Sequence, residues 1–380
     1  MKNILLLTSG MTLLSGSVAL AGGWEASALS TSFLYEKGGE NGGYAEVAVG
    51  SRDYEITDTA VAGQGLPSAP NSSAVKDQNS TTISVKYDIT DEISVGFSRY
   101  TQGSIQLDYS GAGANAAFVG ILPIVDLTLN ANVLLGKYDI NDNMSVLAGV
   151  KQTVVEDATA DIFGAVPAGL GGPYGITSVT GTSEIGYVYG AAYSRDDIAL
   201  RVELTAETST DLVLSSTNPS VAGVAASGNT NASTPDYLNL YVQSGIAEDT
   251  LAFGSIRRAN WSENQIYVYP HGGAATSSFS DSTTYSLGVG RKFTDNFSGS
   301  ISYSTEPEGS SASDTHLTIT NGYRGITVGG KYTVDNMSIT AGYNYTQLGD
   351  ITLTSAAPIG VSNFTDNTVT GFGVRVGFNF

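Results

Sequence analysis

Six cations fall on the polar side of alternating runs: Lys86, Lys151, Arg201, Lys292, Lys331 and Arg375. Three carboxylates, Glu46, Glu203 and Glu207, fall in the same kind of pattern. In a strand, successive side chains point to opposite faces, so residues placed this way share one polar face. Such cations can hold the carboxylate of a small molecule, or they can pair with the carboxylates of their own face. Both readings stand, with Arg201, Glu203, Glu207, Lys331 and Arg375 the leading candidates. Hydrolysis would need a Ser–His arrangement. The two histidines, His271 and His316, lie in loop-like sequence, and neither sits in a nucleophile motif. Cysteine is absent, and no metal cluster, phosphate loop or dinucleotide fingerprint is visible. Neither a metal, a cofactor nor a catalytic activity is expected.

The elements that must position these residues are strands. Six short turns recur: Tyr87–Glu92, Tyr138–Asn143, Ser194–Asp197, Ala247–Thr250, Lys292–Asn296 and Lys331–Asn336. Asp and Asn suit them because their side chains bond the local backbone and tolerate left-handed conformations. Between turns lie two alternating runs and one long loop, which predicts about fourteen strands. These run near 43–57, 79–89, 92–109, 125–138, 143–157, 182–195, 197–210, 236–246, 249–261, 281–293, 296–306, 322–333, 336–352 and 366–380. An even number of antiparallel strands with short turns at one end and long loops at the other is the pattern of a transmembrane β-barrel. The last strand places Phe372, Val374, Val376, Phe378 and Phe380 on one face. Tyr87, Tyr138, Tyr193, Phe293 and Tyr332 are placed to form an interfacial girdle.

The ends and the composition agree. Met1–Ala21 has a basic start, an apolar stretch and a small-x-small site, which predicts a signal peptide over 1–21. Residues 43–380 then form the barrel. Charged residues are 14% of the chain, Gly numbers 46 and Tyr 21, as suits strands facing lipid. The net charge of −19 argues against a nucleic-acid partner. The expected location is the outer membrane of a Gram-negative bacterium. The expected partners are outer-membrane lipid and lipopolysaccharide, together with the assembly machinery that reads a C-terminal Phe, here Phe380.

Two segments break the regular pattern. Residues 22–42 carry Gly22, Gly23, Trp24, Leu29, Phe33 and Leu34 before a glycine-rich stretch. A solvated tail rarely holds such apolar residues, so a short plug inside the barrel is expected; a mobile tail or an extra strand is the alternative. In strand three, Ile93, Val95 and Phe97 set the lipid face. Continuing the alternation puts Arg99, Thr101 and Gly103 there, followed by Ile105, Leu107 and Tyr109. Either the strand is bulged over Tyr100, Thr101, Gln102 and Gly103, or Arg99 snorkels to the interface. The apolar stretch Ala165–Gly175 is expected to fold over or into the barrel mouth, and Gly111–Ile124 to form a short helix or a loop dipping into lipid.

The chain resembles the FadL/TodX-type outer-membrane transporters of long-chain fatty acids and aromatic hydrocarbons. The resemblance rests on Gly22-Gly23 after the signal, Glu36–Ser51, Gly186–Thr205, Asp249–Ser262, Asp281–Ser300 and Gly329–Asp350, and spans nearly the whole mature chain. It departs in lacking an Asn-Pro-Ala-like stretch before strand one. The resemblance implies passive uptake of a hydrophobic small molecule through a fourteen-stranded barrel. Capture would occur at the outside loops, storage beside the plug, and sideways exit at a kink in strand three. The competing expectation is a general porin for hydrophilic solutes, which usually has sixteen strands and a charged constriction.

Overall fold

The computed structural model describes residues 23–65, 73–108, 124–161, 177–219, 225–269, 275–310, 312–313, 315, 317–354 and 360–380. The expected signal peptide, Gly22, Tyr109, His271, His316, Ala165–Gly175 and nearly all of Gly111–Ile124 lie outside them.

Fourteen strands form the wall: β1 (Gly43–Glu55), β2 (Gln78–Asp88), β3 (Ile93–Asp108), β4 (Ile124–Asn141), β5 (Met144–Val155), β6 (Thr182–Arg195) and β7 (Leu200–Glu207). They continue with β8 (Tyr237–Ala247), β9 (Thr250–Ala259), β10 (Ser282–Lys292), β11 (Phe297–Glu306), β12 (Tyr323–Val334), β13 (Met337–Leu348) and β14 (Thr368–Asn379). Each pairs antiparallel with its sequence neighbours, and β1 pairs with both β2 and β14. The sheet is therefore closed, which satisfies the backbone in lipid where an open edge is not tolerated. Gly43 and Phe380 exchange both backbone bonds at 2.9 Å, tying the last residue to the start of β1. Among the described residues, no helix is long and apolar enough to cross a membrane.

The turns form as their Asp residues predict. Asp249 and Asp335 take φ of 54° and 51°, the left-handed conformation those hairpins need. The faces follow the alternation. Val47, Leu134, Tyr187, Leu287, Ile301, Tyr343 and Phe372 are exposed, as a lipid face must be. All five girdle aromatics are exposed as well.

Three departures from the expected pattern appear at the outer end. Residues 211–235, read as a loop, are largely a hairpin of Thr210–Pro219 with Ala225–Thr234. Asp58–Gly65, Ile351–Thr354, Gly360–Phe364 and Ala312–Ser313 make a second small sheet. Short polar strands above a membrane are hard to tell from loop sequence, because neither face has lipid to demand apolar residues. The third departure is an apolar core within the outer half of the barrel. It contains Leu107, Leu129, Leu212, Leu214, Trp261 and Ile319 among others.

One loop anchor is open to direct test. Asp281 accepts from the Ser262 amide at 3.0 Å and from its hydroxyl at 2.7 Å, and these bonds hold the carboxyl below its usual range. A lowered value means that the anchor is intact above the ordinary carboxylate range and fails as pH falls through the bound value. Asp281→Ala should cost about 0.5 kcal/mol at this half-exposed site. Limited proteolysis at neutral pH should cut faster within 262–281 in the variant. Equal cutting rates would show that the anchor contributes nothing.

Candidate functional site: the barrel lumen and the break in the wall

β3 is the irregular strand. Its ladder with β2 runs from Asp88↔Ser94 to Ile83↔Arg99 and stops there. β2 continues to Gln78 with β1 as partner, and β3 continues to Asp108 with β4 as partner. Between Gln78–Thr82 and Tyr100–Asp108 the two strands therefore share no ladder. The β3–β4 register shifts between Thr101 and Gly103, leaving Gln102 as the extra residue of a bulge. The bulge reverses the alternation. Ile105 and Leu107, read from sequence as lipid-facing, are buried in the interior core, while Arg99 stays exposed outside. The register shift is the bulge alternative, at Gln102, and Arg99 lies on the outer face below it.

The freed edge of β3 is met at Gln106–Asp108 by Ala74–Lys76, which precede β2, and at Gln102–Ser104 from within. Ala26 donates its amide to the Gln102 carbonyl at 2.8 Å, and Ser104 donates to the Trp24 carbonyl at 2.9 Å. A Cβ on Gly103 would lie 2.7 Å from the Trp24 carbonyl oxygen, so glycine is what allows this approach. Trp24 is fully buried in the outer apolar core. The segment then runs to Phe33 and Leu34, both fully buried with Tyr44, Val133 and Leu135. Gly96 of β3 leaves the room they occupy; a Cβ there would sit 2.5 Å from Leu34 Cδ2. Leu29 is half-buried against this cluster.

Charged groups hold the same segment. Arg257 Nε donates to Glu25 Oε1 at 3.1 Å, and Arg257 Nη1 donates to Glu207 Oε1 at 3.3 Å. Lys151 Nζ donates to Glu207 at 2.9 Å. The Arg257 guanidinium also lies 4.0 Å from the Tyr237 ring centroid. Thr31 bonds Glu203, whose carboxylate is 3.7 Å from Arg201 Nε. Arg201 stacks between Tyr35 and Tyr241 at 4.3 and 5.0 Å. Arg375 and Glu46 are 3.6 Å apart, and Lys331 is buried nearby. Lys86 donates to the Glu36 carbonyl at 2.8 Å, while Lys292 pairs with Asp295 at the turn.

The candidate lumen residues Arg201, Glu203, Glu207, Lys331 and Arg375 are thus all buried inside the barrel. Arg257 and Glu25, which join the network, were not read as lumen residues in the sequence. Arg257 was obscured by its neighbour Arg258, which faces outward, and Glu25 by a segment with no strand pattern.

A chamber of about 170 Å³ lies beside the N-terminal segment, lined by Ser30, Arg52, Tyr100, Arg201, Asn239 and Arg375 among others. Its lining includes Ser80 and Thr82 of the unladdered stretch of β2 and Ser98 of β3. Above it is a small apolar cavity of about 30 Å³, lined by Ile105, Val125, Leu127, Leu214, Val268 and Leu317 among others. That space is no larger than one small group. The lumen is therefore layered: apolar at the outer end, polar beside the N-terminal segment, and apolar again at Phe33 and Leu34.

A closed fourteen-stranded antiparallel barrel with an apolar outer face and aromatic girdle is an integral outer-membrane β-barrel protein. Its fold is that of the FadL/TodX-type channels. A Pseudomonas aeruginosa FadL homologue superposes with a TM-score of 0.72 at 13% identity, over 90% of this chain and 91% of that one. The P. putida toluene transporter TodX gives 0.63 at 14% identity, over 90% of each chain. The Ralstonia pickettii toluene transporter TbuX gives 0.62 at 13% identity, over 98% and 99%. No family model and no curated protein sequence matches the chain.

Proposed function

We propose that the protein is a passive outer-membrane channel for hydrophobic small molecules, such as long-chain fatty acids or similar lipophilic compounds. In this reading residues 22–42 are the plug and the gap beyond Ile83–Arg99 is a lateral exit to the bilayer. The observation that carries it is the interrupted β2–β3 ladder, with a chamber behind it. A greasy solute gains by passing from the chamber to hydrocarbon, and would lose by entering periplasmic water. The apolar outer core supports capture from outside, and Phe33 and Leu34 support closure below. The structural neighbours named as toluene transporters support the substrate class. Within that class the lumen ion pairs favour the uncharged compounds over a fatty-acid carboxylate, because each paired cation already has its counterion.

The polar chamber lining favours the other reading, a general porin. Planar-bilayer conductance separates the two. The channel reading expects little steady current from the intact protein and a clear increase after removal of residues 22–35. It also expects a strain lacking the protein to take up radiolabelled toluene or oleate more slowly. A large stable current from the intact protein, or unchanged uptake of both probes in that strain, would overturn it.

A further inference from the structure

The chamber beside the N-terminal segment has more polar capacity than its ion pairs use. Ser255, Ser286 and Ser304 stand side by side on β9, β10 and β11, where Ser255 pairs across with Ser286 and Ser286 with Ser304. All three line the chamber, as does Asn239 of β8. Among the described residues none of these four side chains has a hydrogen-bond partner. Tyr241 and Glu203 continue the serine row onto β8 and β7. Glu203 Oε2 and Arg201 Nε also lack a hydrogen-bond partner among the described residues, and they lie 3.7 Å apart. That separation is too long for a bond between them. Glu203 is 2% exposed and Arg201 7%, and buried donors and acceptors are rarely left unmet.

Three of the four arginines in the lining already face carboxylates. Arg201 faces Glu203, Arg257 faces Glu25 and Glu207, and Arg375 faces Glu46. The fourth, Arg52, donates Nη1 to the Ala26 carbonyl at 2.8 Å. A carboxylate entering the chamber meets Glu46 and Glu203 in the same lining, and like charges repel more strongly where water is scarce. A plain hydrocarbon displaces water from the serine row and returns no bond to it. A hydroxyl both donates and accepts, which matches serine, the asparagine amide and the Glu203–Arg201 pair alike. Ala28, Leu29, Ala48 and Tyr100 supply apolar surface for the rest of the molecule. The volume of about 170 Å³ is close to the ~150 Å³ that holds benzene in an apolar cavity, so one ring fits and a long acyl chain does not.

We propose that the chamber selects a small uncharged ring compound bearing a hydroxyl group, with Asn239, Ser255, Ser286 and Ser304 as the residues that read the hydroxyl. The inference rests on the channel reading, since it names the class of solute that the channel carries. It also gives the polar wall a use other than a general water-filled pore: it picks out one donor-and-acceptor group on an otherwise apolar body.

The test uses the full-length protein in lipid nanodiscs at neutral pH, with binding measured by equilibrium dialysis and empty discs subtracted. The probes are three rings of similar size: 4-methylphenol, 1,4-dimethylbenzene and 4-methylbenzoate. A phenol titrates near tyrosine, at about 10, and is uncharged under these conditions. Wild type should bind 4-methylphenol about tenfold more tightly than either other probe, the return expected from two ordinary hydrogen bonds. In the triple variant Ser255→Ala, Ser286→Ala, Ser304→Ala, the preference over 1,4-dimethylbenzene should fall to about twofold or less. These substitutions break no hydrogen bond to another described residue, and heat-modifiable gel mobility reports a closed barrel. Asn239→Leu is a second, independent variant and should weaken 4-methylphenol about three- to fivefold without weakening 1,4-dimethylbenzene. Ser300→Ala, on β11 but outside the chamber lining, should bind as wild type does. Equal binding of the three rings by wild type overturns the inference. So does tighter binding of the benzoate, an unchanged order of binding in both chamber variants, or equally effective competition by glycerol. The channel reading stands or falls separately, on conductance and on uptake by the strain lacking the protein, so the two failures are distinguishable.

Discussion

Deletion of Gln102 should leave a folded barrel that no longer passes a hydrophobic substrate. Gln102 is the residue by which β3 exceeds β4 between Thr101 and Gly103. Removing it makes Thr101↔Asn130 and Gly103↔Leu129 consecutive pairs and leaves Ile105 and Leu107 facing inward. The regularised strand can then extend its ladder along Thr82 to Gln78 and close the wall. Opening a completed ladder in lipid leaves several backbone groups unsatisfied at several kcal/mol each. Uptake should fall by at least about tenfold, the equivalent of 1.4 kcal/mol of barrier. The deletion also removes the carbonyl that receives the Ala26 amide. Heat-modifiable mobility should be unchanged, and uptake within twofold of wild type would sink the lateral-exit reading.

Replacing Arg257 by Met should cost about 3–5 kcal/mol, because it leaves buried carboxylates with too little positive charge. Glu25 and Glu207 both bond this guanidinium, and Lys151 alone then faces Glu207. The double variant Glu25→Gln, Arg257→Met should recover part of the loss, since it removes the carboxylate that has lost its cation. Urea titration of the refolded barrel measures both values. A loss below about 1 kcal/mol, or no recovery in the double variant, would show that the pair is not coupled in this way. Conductance gives a second readout. If Arg257 holds the N-terminal segment in the lumen, the single variant should pass more current than wild type.

Much of the fold was legible because lipid imposes a simple rule. Every second residue of a wall strand must be apolar, as in Phe372 to Phe378 and Leu200 to Ala206, so strand positions and faces followed from counting. Asp249 and Asp335 marked their turns because few other residues take a left-handed conformation readily. The lumen faces of Arg201, Glu203, Glu207, Lys331 and Arg375 followed from the same parity. The outer hairpin of Thr210–Pro219 with Ala225–Thr234 was not legible, since above the membrane no solvent forces one face to be apolar. Leu212 and Leu214 had the right alternation, but nothing in the local sequence said that a core lay there to receive them.

The division is sharpest at β3. By its alternation alone the sequence determined a barrel, a lipid face reaching Phe97, and an anomaly from Arg99 to Gly103. Parity counting then carried Ile105 and Leu107 to the wrong face, because a bulge adds one residue and inverts every position after it. Only the tertiary structure decided where the extra residue sits, since that depends on the Trp24–Ala26 backbone arriving from another part of the chain. It also decided that Arg257 closes on Glu25, a contact spanning more than two hundred residues. Periodicity is a local property that lipid enforces strand by strand. An N-terminal segment inside the barrel and a broken ladder are long-range arrangements, set by which backbone groups find partners once the barrel has closed.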